Sequence, residues 1–427
     1  MTMRAGRRRW GGVSLVTTGA LGLAVSAGLL AGVSTEAGAT TSGVTKNSIT
    51  VGGIVIKTSA SGYTTSATTT GFKAAITQQN QAGGVYGRKI NFVGTLDDQL
   101  TPSTDLAVTH RLVDQYHVFA VAPINTAVFS AGGTYLQQQG IPYFGWGTTE
   151  IFCNNQYGFG FNGCLDSTSS ADKISTAPGG LMASVYKKAG TNPKGLTAAV
   201  VGNSSAGNVA ALPGQRKAFE ASGFNVVYGT ATIPATAAVA DWSPWVNPIM
   251  TSNNGKPPAV VYAFGSTTEA NGLSTALKAA GYKGKFLDAV SYSNQTLSNP
   301  QLLSETQTRY TWLPVAPFNA PNAGVRSMVK ALVAVGMTKS KLTQTAAIGY
   351  WTGKLFIAAL QKAGQNLTHA SFLKAANHLT YGVTGAYGPV SFPAQHTNAS
   401  PCGAMVQLKG KRFIPTVPLT CYLNVSP

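Results

Sequence analysis

Polar loops that follow apolar, strand-like runs carry the residues most able to do chemistry in this sequence. Asn125 and Thr126 come just ahead of a predicted helix, so backbone N–H groups and a hydroxyl could face an anionic group such as a carboxylate. Tyr143 to Thr149 combines glycine, which permits close backbone approach, with an aromatic wall. Gly202 to Ser205 and Phe264 to Thr267 follow two later strands. These loops predict a hydrogen-bonding site for a solute, although the same side chains could equally cap helices.

Residues with the spacing of a catalytic or cofactor site are missing from the sequence. Asp97-Asp98 follows a strand, but no second carboxylate cluster and no metal-ligand spacing accompanies it. Gly158 to Gly163 has the letters of a dinucleotide fingerprint without the strand before it or the helix after it. No Gly-x-Ser-x-Gly elbow accompanies the five histidines, which are His110, His117, His369, His378 and His396. We therefore expect a non-enzymatic protein without a cofactor or metal.

The N-terminal segment is typical of an export signal. Arginines between Arg4 and Arg9 precede an apolar run from Val13 to Val33, which ends before Ala37-Gly38-Ala39. A membrane anchor is the alternative, but Gly, Ser and Thr dilute the run and no charge cluster follows it. No cysteine is placed for acylation, so we expect an exported protein in the periplasm, the cell wall or the medium, without a lipid anchor. Arg7-Arg8 leaves both the general and the twin-arginine secretion routes open.

The composition bears on the expected binding partners, on stability and on disulfide bonds. The 427 residues contain 31 Lys and Arg against 13 Asp and Glu, which gives a formal net charge of +18. The basic residues are scattered, so nucleic acid is not an expected partner. Scarce carboxylates favour stability at acidic pH. The four cysteines form two sequence-local pairs, Cys153 with Cys164 and Cys402 with Cys421, which we expect to be disulfides. Zinc is the alternative, but no paired Cys-x-x-Cys spacing supports it.

Short apolar runs alternate with helical stretches over more than two hundred residues. The first strand is predicted at Ile49 to Ile56, and helices are predicted at Thr69 to Gln81 and Thr126 to Gln139. Further strands are predicted at Ile90 to Thr95, Val118 to Ala122, Thr197 to Val201, Val226 to Thr230, Ala259 to Ala263 and Phe286 to Ala289. Strict alternation predicts an α/β fold of parallel sheets with helices on both faces. Removal of residues 1–39 leaves 388, enough for two lobes.

The sequence resembles the branched-chain amino acid binding proteins of ABC importers, which have the type I periplasmic binding protein fold. The resemblance covers Ile49 to about Phe392. The segments that carry it are Ile49 to Ile56 with its Ser-Gly-Tyr loop, Gly71 to Ala75, Asn80 to Ile90, Asp97-Asp98, Leu277 to Tyr282 and Thr384 to Phe392.

This resemblance implies two doubly wound, parallel-sheet lobes that are joined by a three-segment hinge and close on a solute. We predict residues 1–39 as signal peptide, 40–167 and 314–384 as lobe 1, and 168–313 and 385–427 as lobe 2. The candidate ligand-binding residues are Tyr63, Asn125, Thr126, Ala127, Trp146, Gly147, Thr148, Ser205, Asn208, Phe264, Ser266, Asp288 and Tyr292. Asn125, Thr126 and Ala127 would hold an α-carboxylate, helped by Gly147 and Thr148.

One departure from the family bears on the substrate. The family commonly places a glutamate for the α-ammonium after the strand at Phe286 to Asp288, where this sequence has Val290. Either Asp288 takes that task, with Tyr292 as a neutral partner, or the ligand has no free ammonium. An unpaired buried ammonium would cost several kcal/mol, so the two cases differ in substrate.

These features together predict an exported, monomeric solute-binding protein that delivers a small polar solute to the membrane permease of an ABC importer. The solute is expected to be an amino acid of the branched-chain type, or a related amide or carboxylate. A sensory or receptor ectodomain with the same fold is an alternative, and a secreted hydrolase is a weaker one.

Overall fold

The computed structural model describes residues 41–60, 62–165 and 173–426; the predicted signal peptide and the predicted boundary at 167/168 lie outside the described residues. The helices are α1 Ala67–Gln81, α2 Pro102–His110, α3 Ser130–Gln138, α4 Ala177–Lys188, α5 Ala206–Glu220, α6 Ser243–Thr251, α7 Thr267–Ala279, α8 Asn294–Ser298, α9 Pro300–Thr306, α10 Ala323–Ala334, α11 Gln344–Ala363 and α12 His369–Ala376. The strands are β1 Ser48–Val55, β2 Lys89–Asp97, β3 Ala120–Asn125, β4 Tyr143–Gly145, β5 Gly158–Gly160, β6 Ile174–Ser175, β7 Thr197–Asn203, β8 Asn225–Ile233, β9 Val260–Ala263, β10 Lys285–Asp288, β11 Tyr310–Leu313, β12 Thr380–Val383, β13 Tyr387–Ser391, β14 Cys402–Lys409, β15 Arg412–Cys421 and β16 Asn424–Val425.

Two sheets form the framework. The first has the order β2-β1-β3-β4-β5, and its strands are parallel. The second has the order β15-β14-β11-β10-β9-β7-β8, with strands β7 to β11 parallel and the β14–β15 hairpin added antiparallel beside β11. The predicted α/β fold with parallel sheets is confirmed.

Helices cover both faces of each sheet. On one face of the first sheet, Phe72 of α1 and Trp351 of α11 belong to a core that α10 and α12 also join. On the other face, Leu112 and Phe129 lie with α2 and α3. Helices α4 and α5 cover one face of the second sheet, and α6 and α7 cover the opposite face. Strands β3, β7 and β9 therefore have no exposed residue. Each large apolar side chain buried in this way contributes roughly 1.5–3 kcal/mol.

Helix α3 begins later than the sequence predicts, and the difference affects the site. The predicted helix starts at Thr126, whereas α3 begins at Ser130. The Thr126 hydroxyl accepts a hydrogen bond from the Val128 N–H group at 3.3 Å. Such a local side-chain bond offers the backbone an alternative to the helix. Thr126 and Ala127 thus belong to a loop, and the expected stabilisation of an anion by the end of the helix does not apply to them directly.

Both predicted disulfides are present, between Cys153 and Cys164 and between Cys402 and Cys421. The second bond joins directly paired residues of β14 and β15. Among the described residues, no group of three or more His, Cys, Asp or Glu side chains could hold a metal ion. Gly158–Gly160 forms β5 inside the first disulfide loop, and the described residues after it, 161–165, are not helical. The described part of this segment therefore lacks the helix N-terminus that a dinucleotide fingerprint requires.

Helices α1 and α11 pack so closely that glycine is required between them. A Cβ atom added at Gly71 would lie 1.9 Å from the Ala346 carbonyl oxygen, and one added at Gly349 would lie 2.0 Å from the Thr68 carbonyl oxygen. The obstacle is backbone in both cases, so a rotamer change cannot relieve it. This contact joins the N-terminal helix to the returning chain.

We predict that Gly71→Ala lowers the free energy of unfolding by roughly 1–3 kcal/mol, because the added methyl group must force the helices apart. Denaturant unfolding monitored by circular dichroism measures the change. Lys73→Ala, on the exposed side of the same helix, is the control and should cost little. Equal stability of Gly71→Ala and the unsubstituted chain would contradict the close packing.

Candidate functional site

The carboxyl ends of strands from both sheets surround one cavity of about 140 Å³. Residues after β1, β3 and β4 form the wall on the first-sheet side, and residues after β7, β9 and β10 form the opposite wall. Open α/β sheets place ligands at this edge because the strands end there and the loops that follow are free to vary. The cavity is therefore the candidate functional site.

Ten of the thirteen residues predicted from sequence line the cavity. They are Tyr63, Asn125, Thr126, Ala127, Trp146, Thr148, Ser205, Asn208, Phe264 and Ser266. The remaining three, Gly147, Asp288 and Tyr292, do not line it.

The first-sheet wall is a loop held by its own hydrogen bonds. The Asn125 amide donates to the Thr68 hydroxyl at 2.8 Å, and the Thr65 hydroxyl donates to the Asn125 carbonyl at 2.7 Å. The Thr148 hydroxyl donates to the Thr126 carbonyl at 3.4 Å. The backbone N–H groups of Thr126 and Ala127 donate to no described residue. This wall therefore offers unpaired donors that suit a carboxylate or a carbonyl oxygen.

The opposite wall is a polar network centred on Asn203. Its amide oxygen accepts from the Ser205 hydroxyl at 2.7 Å and from the Asn208 side chain at 2.6 Å. Its amide nitrogen donates to both carboxylate oxygens of Glu269, at 3.0 and 2.8 Å. Because three groups donate to the Asn203 oxygen, counting the Ser205 N–H, the orientation of this amide is fixed.

Glu269 is one of the residues of the site that sequence reasoning missed. Its Oε2 accepts from the Ser266 N–H at 2.8 Å, and the Ser266 hydroxyl accepts from the Glu269 N–H, which is a capping box at the start of α7. Burial raises the pKa of Glu269. The sequence pattern Ser-Thr-Thr-Glu is the signature of such a box and could have identified Glu269. Ser266 and Ser205 both cap helices and both line the cavity. Helix capping and a position in the candidate site are therefore compatible for these two residues.

Aromatic side chains supply most of the remaining wall. Trp146 and Tyr63 line the first-sheet side, and Tyr262, Phe264 and Trp312 line the second. The Trp312 indole donates to the Tyr262 hydroxyl at 2.9 Å, which fixes both rings. Tyr262 and Trp312 are also residues that the sequence did not reveal, because they lie within strands rather than in the loops after them. The cavity thus combines rigid apolar surfaces with a few placed polar groups, as ligand sites do.

Asp288 lies outside the cavity lining and has a cationic partner of its own. Its Oδ2 lies 3.2 Å from Nη1 of Arg309 in a fully buried ion pair. Its Oδ1 accepts from the N–H groups of Val290 and Ser291, so Asp288 fixes the loop that places Ala289 and Val290 in the cavity wall. Separating a buried carboxylate from its guanidinium partner would leave an unpaired buried charge, so this carboxylate is not free to bind a solute.

Tyr292 and Gly147 also have structural contacts. The Tyr292 hydroxyl accepts from the Phe318 N–H at 2.9 Å, and its ring packs on Phe318 and Phe413. A Cβ atom at Gly147 would lie 2.4 Å from the Gly163 carbonyl oxygen, so this glycine allows the first disulfide loop to approach.

The sequence profile of the periplasmic binding protein family matches residues 48–412. The chain belongs to the periplasmic binding protein family. This membership implies a location outside the cytoplasm, and the family is one of binding proteins rather than enzymes. Within the described residues, no helix is both long and apolar enough to cross a membrane. No curated protein matches the chain at the sequence level.

Solved structures share the fold of this periplasmic binding protein at low sequence identity. A fatty acid ABC transporter substrate-binding protein from Thermomonospora curvata is 18% identical, with a TM-score of 0.68 and coverage of 90% of this chain and 94% of that one. A solute-binding protein of an ABC transporter from R. palustris, in complex with benzoate, is 19% identical with a TM-score of 0.64, covering 88% and 98%. A possible leucine/isoleucine/valine-binding protein from Rhodopirellula baltica is 15% identical with a TM-score of 0.69, covering 87% and 96%.

Two buried carboxylates lie behind the first-sheet wall. Asp98 Oδ1 accepts from the N–H group of Leu100, which lines the cavity. Asp105 Oδ2 accepts from the Gly132 N–H at 3.3 Å, while its Oδ1 has no hydrogen-bond partner among the described residues. Burial, reinforced by the negative charge of Asp98, raises the pKa of Asp105 to about 8. Asp105 is therefore protonated at neutral pH in the folded protein.

We predict that Asp105→Asn stabilises the protein at pH 8 by on the order of 1 kcal/mol, with no gain at pH 4. The folded pKa of Asp105 lies above the unfolded value, so the folded state holds a proton that the unfolded state releases. The stability of the unsubstituted chain is therefore lost as pH rises from about 4 to about 8 through this group. Denaturant unfolding at the two pH values measures it.

Asp241→Asn is the control, because Asp241 is exposed and its hydrogen bonds to Ser243 lower its pKa. The control should show no gain at pH 8. An Asp105→Asn variant that is equally affected at pH 4 and pH 8 would show that Asp105 does not hold the proton.

Proposed function

We propose that this protein is the solute-binding component of an ABC importer, which captures a small polar solute in the cavity and presents it to a membrane permease. The observation that carries the proposal is the cavity described above, which has one wall from each sheet, rigid aromatic surfaces and backbone donors that have no described partner. A binding protein of this kind needs placed hydrogen-bond donors and a closed state that the ligand favours, and it needs no catalytic group. We propose that it acts as a monomer.

The proposed capture uses closure of two lobes. Helices α10 to α12 return to the first sheet, while β14 and β15 extend the second, so the chain crosses between the sheets more than once. The predicted crossing at 384/385 divides the β12–β13 hairpin. Tyr387 and Val390 of this hairpin, and Phe392 directly after it, pack into the core of the first sheet. We therefore propose that the third crossing follows Phe392, and we keep the crossing near residue 314.

The solute that this cavity suits best is an amino acid or a related small carboxylate or amide. The Thr126 and Ala127 N–H groups, which donate to no described residue, support a carboxylate at this wall. The aromatic rings and Val290 surround the body of the solute with apolar surface. The similar proteins from Thermomonospora curvata and R. palustris are described with a fatty acid and with benzoate, so plain carboxylates are the competing substrate class.

Thermal-shift screening of residues 40–427 against amino acids, amides, urea and small carboxylates tests this function. A solute at about a hundred times its Kd stabilises the folded state by roughly 2.7 kcal/mol. We predict that Trp146→Ala removes the shift, because it deletes an aromatic wall of the cavity. Trp245→Ala is the matched control, since Trp245 lies in α6 and does not line the cavity. A shift that survives in Trp146→Ala would place the solute elsewhere.

We predict that Gly207→Val prevents closure. Gly207 lies in the first turn of α5, and a Cβ atom there would lie 2.7 Å from the Thr148 carbonyl oxygen of the opposite wall. The side chain would thus separate the walls without disturbing either sheet. Solute affinity should fall at least tenfold, and the solute-dependent decrease in radius of gyration, measured by X-ray scattering, should disappear.

Ala210→Val, on the same helix but outside the cavity lining, should keep both properties. The unliganded unfolding temperature of the two variants should be similar, because the clash exists only when the walls meet. Unchanged affinity in Gly207→Val would contradict closure at this contact.

A further inference from the structure

The charge of the cavity lining is one-sided. Glu269 is the one acidic side chain among the described residues of the lining. No described Lys, Arg or His lines the cavity. The protein as a whole is strongly basic, with a formal net charge of +18, so the missing cation in the cavity is not a matter of composition. An acid without a cationic partner in an apolar site creates a strong local preference for positive charge.

The carboxylate of Glu269 keeps room for a further donor. The capping box accounts for Oε2, which accepts from Ser266, and the Asn203 amide reaches both oxygens. Oε1 accepts from Asn203 alone, at 3.0 Å. A carboxylate oxygen accepts two hydrogen bonds, so a donor from the cavity can still bind at Oε1. Helix capping therefore leaves one acceptor position of the Glu269 carboxylate available to a solute.

Aromatic rings in the same wall favour a cation as well. Phe264 and Trp312 line the side of the cavity that carries Glu269, and Tyr63 and Trp146 line the other. The faces of such rings attract an ammonium group within about 6 Å of their centres. The charge of Glu269 contributes to raising the pKa of Tyr63, after burial, so the two side chains interact across the cavity.

We propose that Glu269 binds a cationic nitrogen of the solute, so that the solute is a zwitterion of the amino-acid type rather than a plain carboxylate. This proposal rests on the proposed function. It gives the ammonium end of the solute a partner that Val290 and Asp288 do not provide, from the first turn of α7. The unpaired N–H groups of Thr126 and Ala127 on the opposite wall are left for the carboxylate end.

Matched pairs of solutes that differ only in the ammonium group test the proposal by isothermal titration calorimetry. The pairs are L-leucine with 4-methylpentanoate, and L-phenylalanine with 3-phenylpropanoate. The unsubstituted chain should bind at least one amino acid at least tenfold more tightly than its partner. Glu269→Gln should lose most of that preference, while the affinity for the partner acid stays the same or rises because a negative charge has been removed.

Glu220→Gln is the control, because it removes the same charge from the end of α5, outside the cavity, and should keep the preference. Circular dichroism and the unfolding temperature establish that Glu269→Gln is folded. If that variant does not fold, the preference of the unsubstituted chain decides, since it needs no substitution.

The outcomes separate the two proposals. Plain carboxylates that bind the unsubstituted chain as tightly as the amino acids, or an unchanged preference in Glu269→Gln, would overturn the role of Glu269 and leave solute capture standing. Binding of no member of either pair, together with no stabilisation in the thermal-shift screen, would overturn the proposed capture of such solutes and the role of Glu269 with it.

Discussion

Burial of both faces of two parallel sheets is the constraint on which the rest of the structure depends. Strands such as β7 and β9 are enclosed by helices and can carry only apolar or small side chains along their length. Polar groups are consequently confined to the strand ends, where backbone hydrogen bonding to the neighbouring strands stops. The carboxyl ends of both sheets face the same cavity, so the confined polar groups of the two sheets are brought to one place.

The fold could be read from the sequence because this same constraint is periodic. Continuous apolar runs such as Ala259 to Ala263 mark strands buried on both faces, and helical stretches alternate with them except between Phe144 and Ala177. The loop positions followed from the same pattern, and for this reason Asn125, Thr126 and Phe264 were predicted near one another and line one cavity. The order of residues alone shows whether a residue follows a strand, so this property can be predicted from the sequence.

What a sequence could not supply is the direction of a side chain and the identity of its partner. Asp288 ends a strand, close to the positions of the other predicted residues, but it forms a buried ion pair with Arg309 and does not line the cavity. Arg309 is distant in the chain from Asn271 and Ser274, which complete its hydrogen bonds. Glu269 shows the converse case, since a helix cap with an obvious local role also reaches the cavity. Both outcomes depend on tertiary neighbours that no spacing rule encodes.

The buried Asp and Glu residues affect how the stability of the protein depends on pH. Burial raises the pKa of Asp98, Asp105 and Glu269, so each of these groups binds protons more readily in the folded state than in the unfolded state. Their contributions therefore favour the folded state as pH falls. His396 acts in the opposite direction, because burial lowers its pKa to about 4 and the folded state loses stability as pH falls from about 6.5 through that value. Tolerance of acid thus depends on the balance of buried groups of both kinds, and the scarcity of carboxylates in the sequence is only part of its cause.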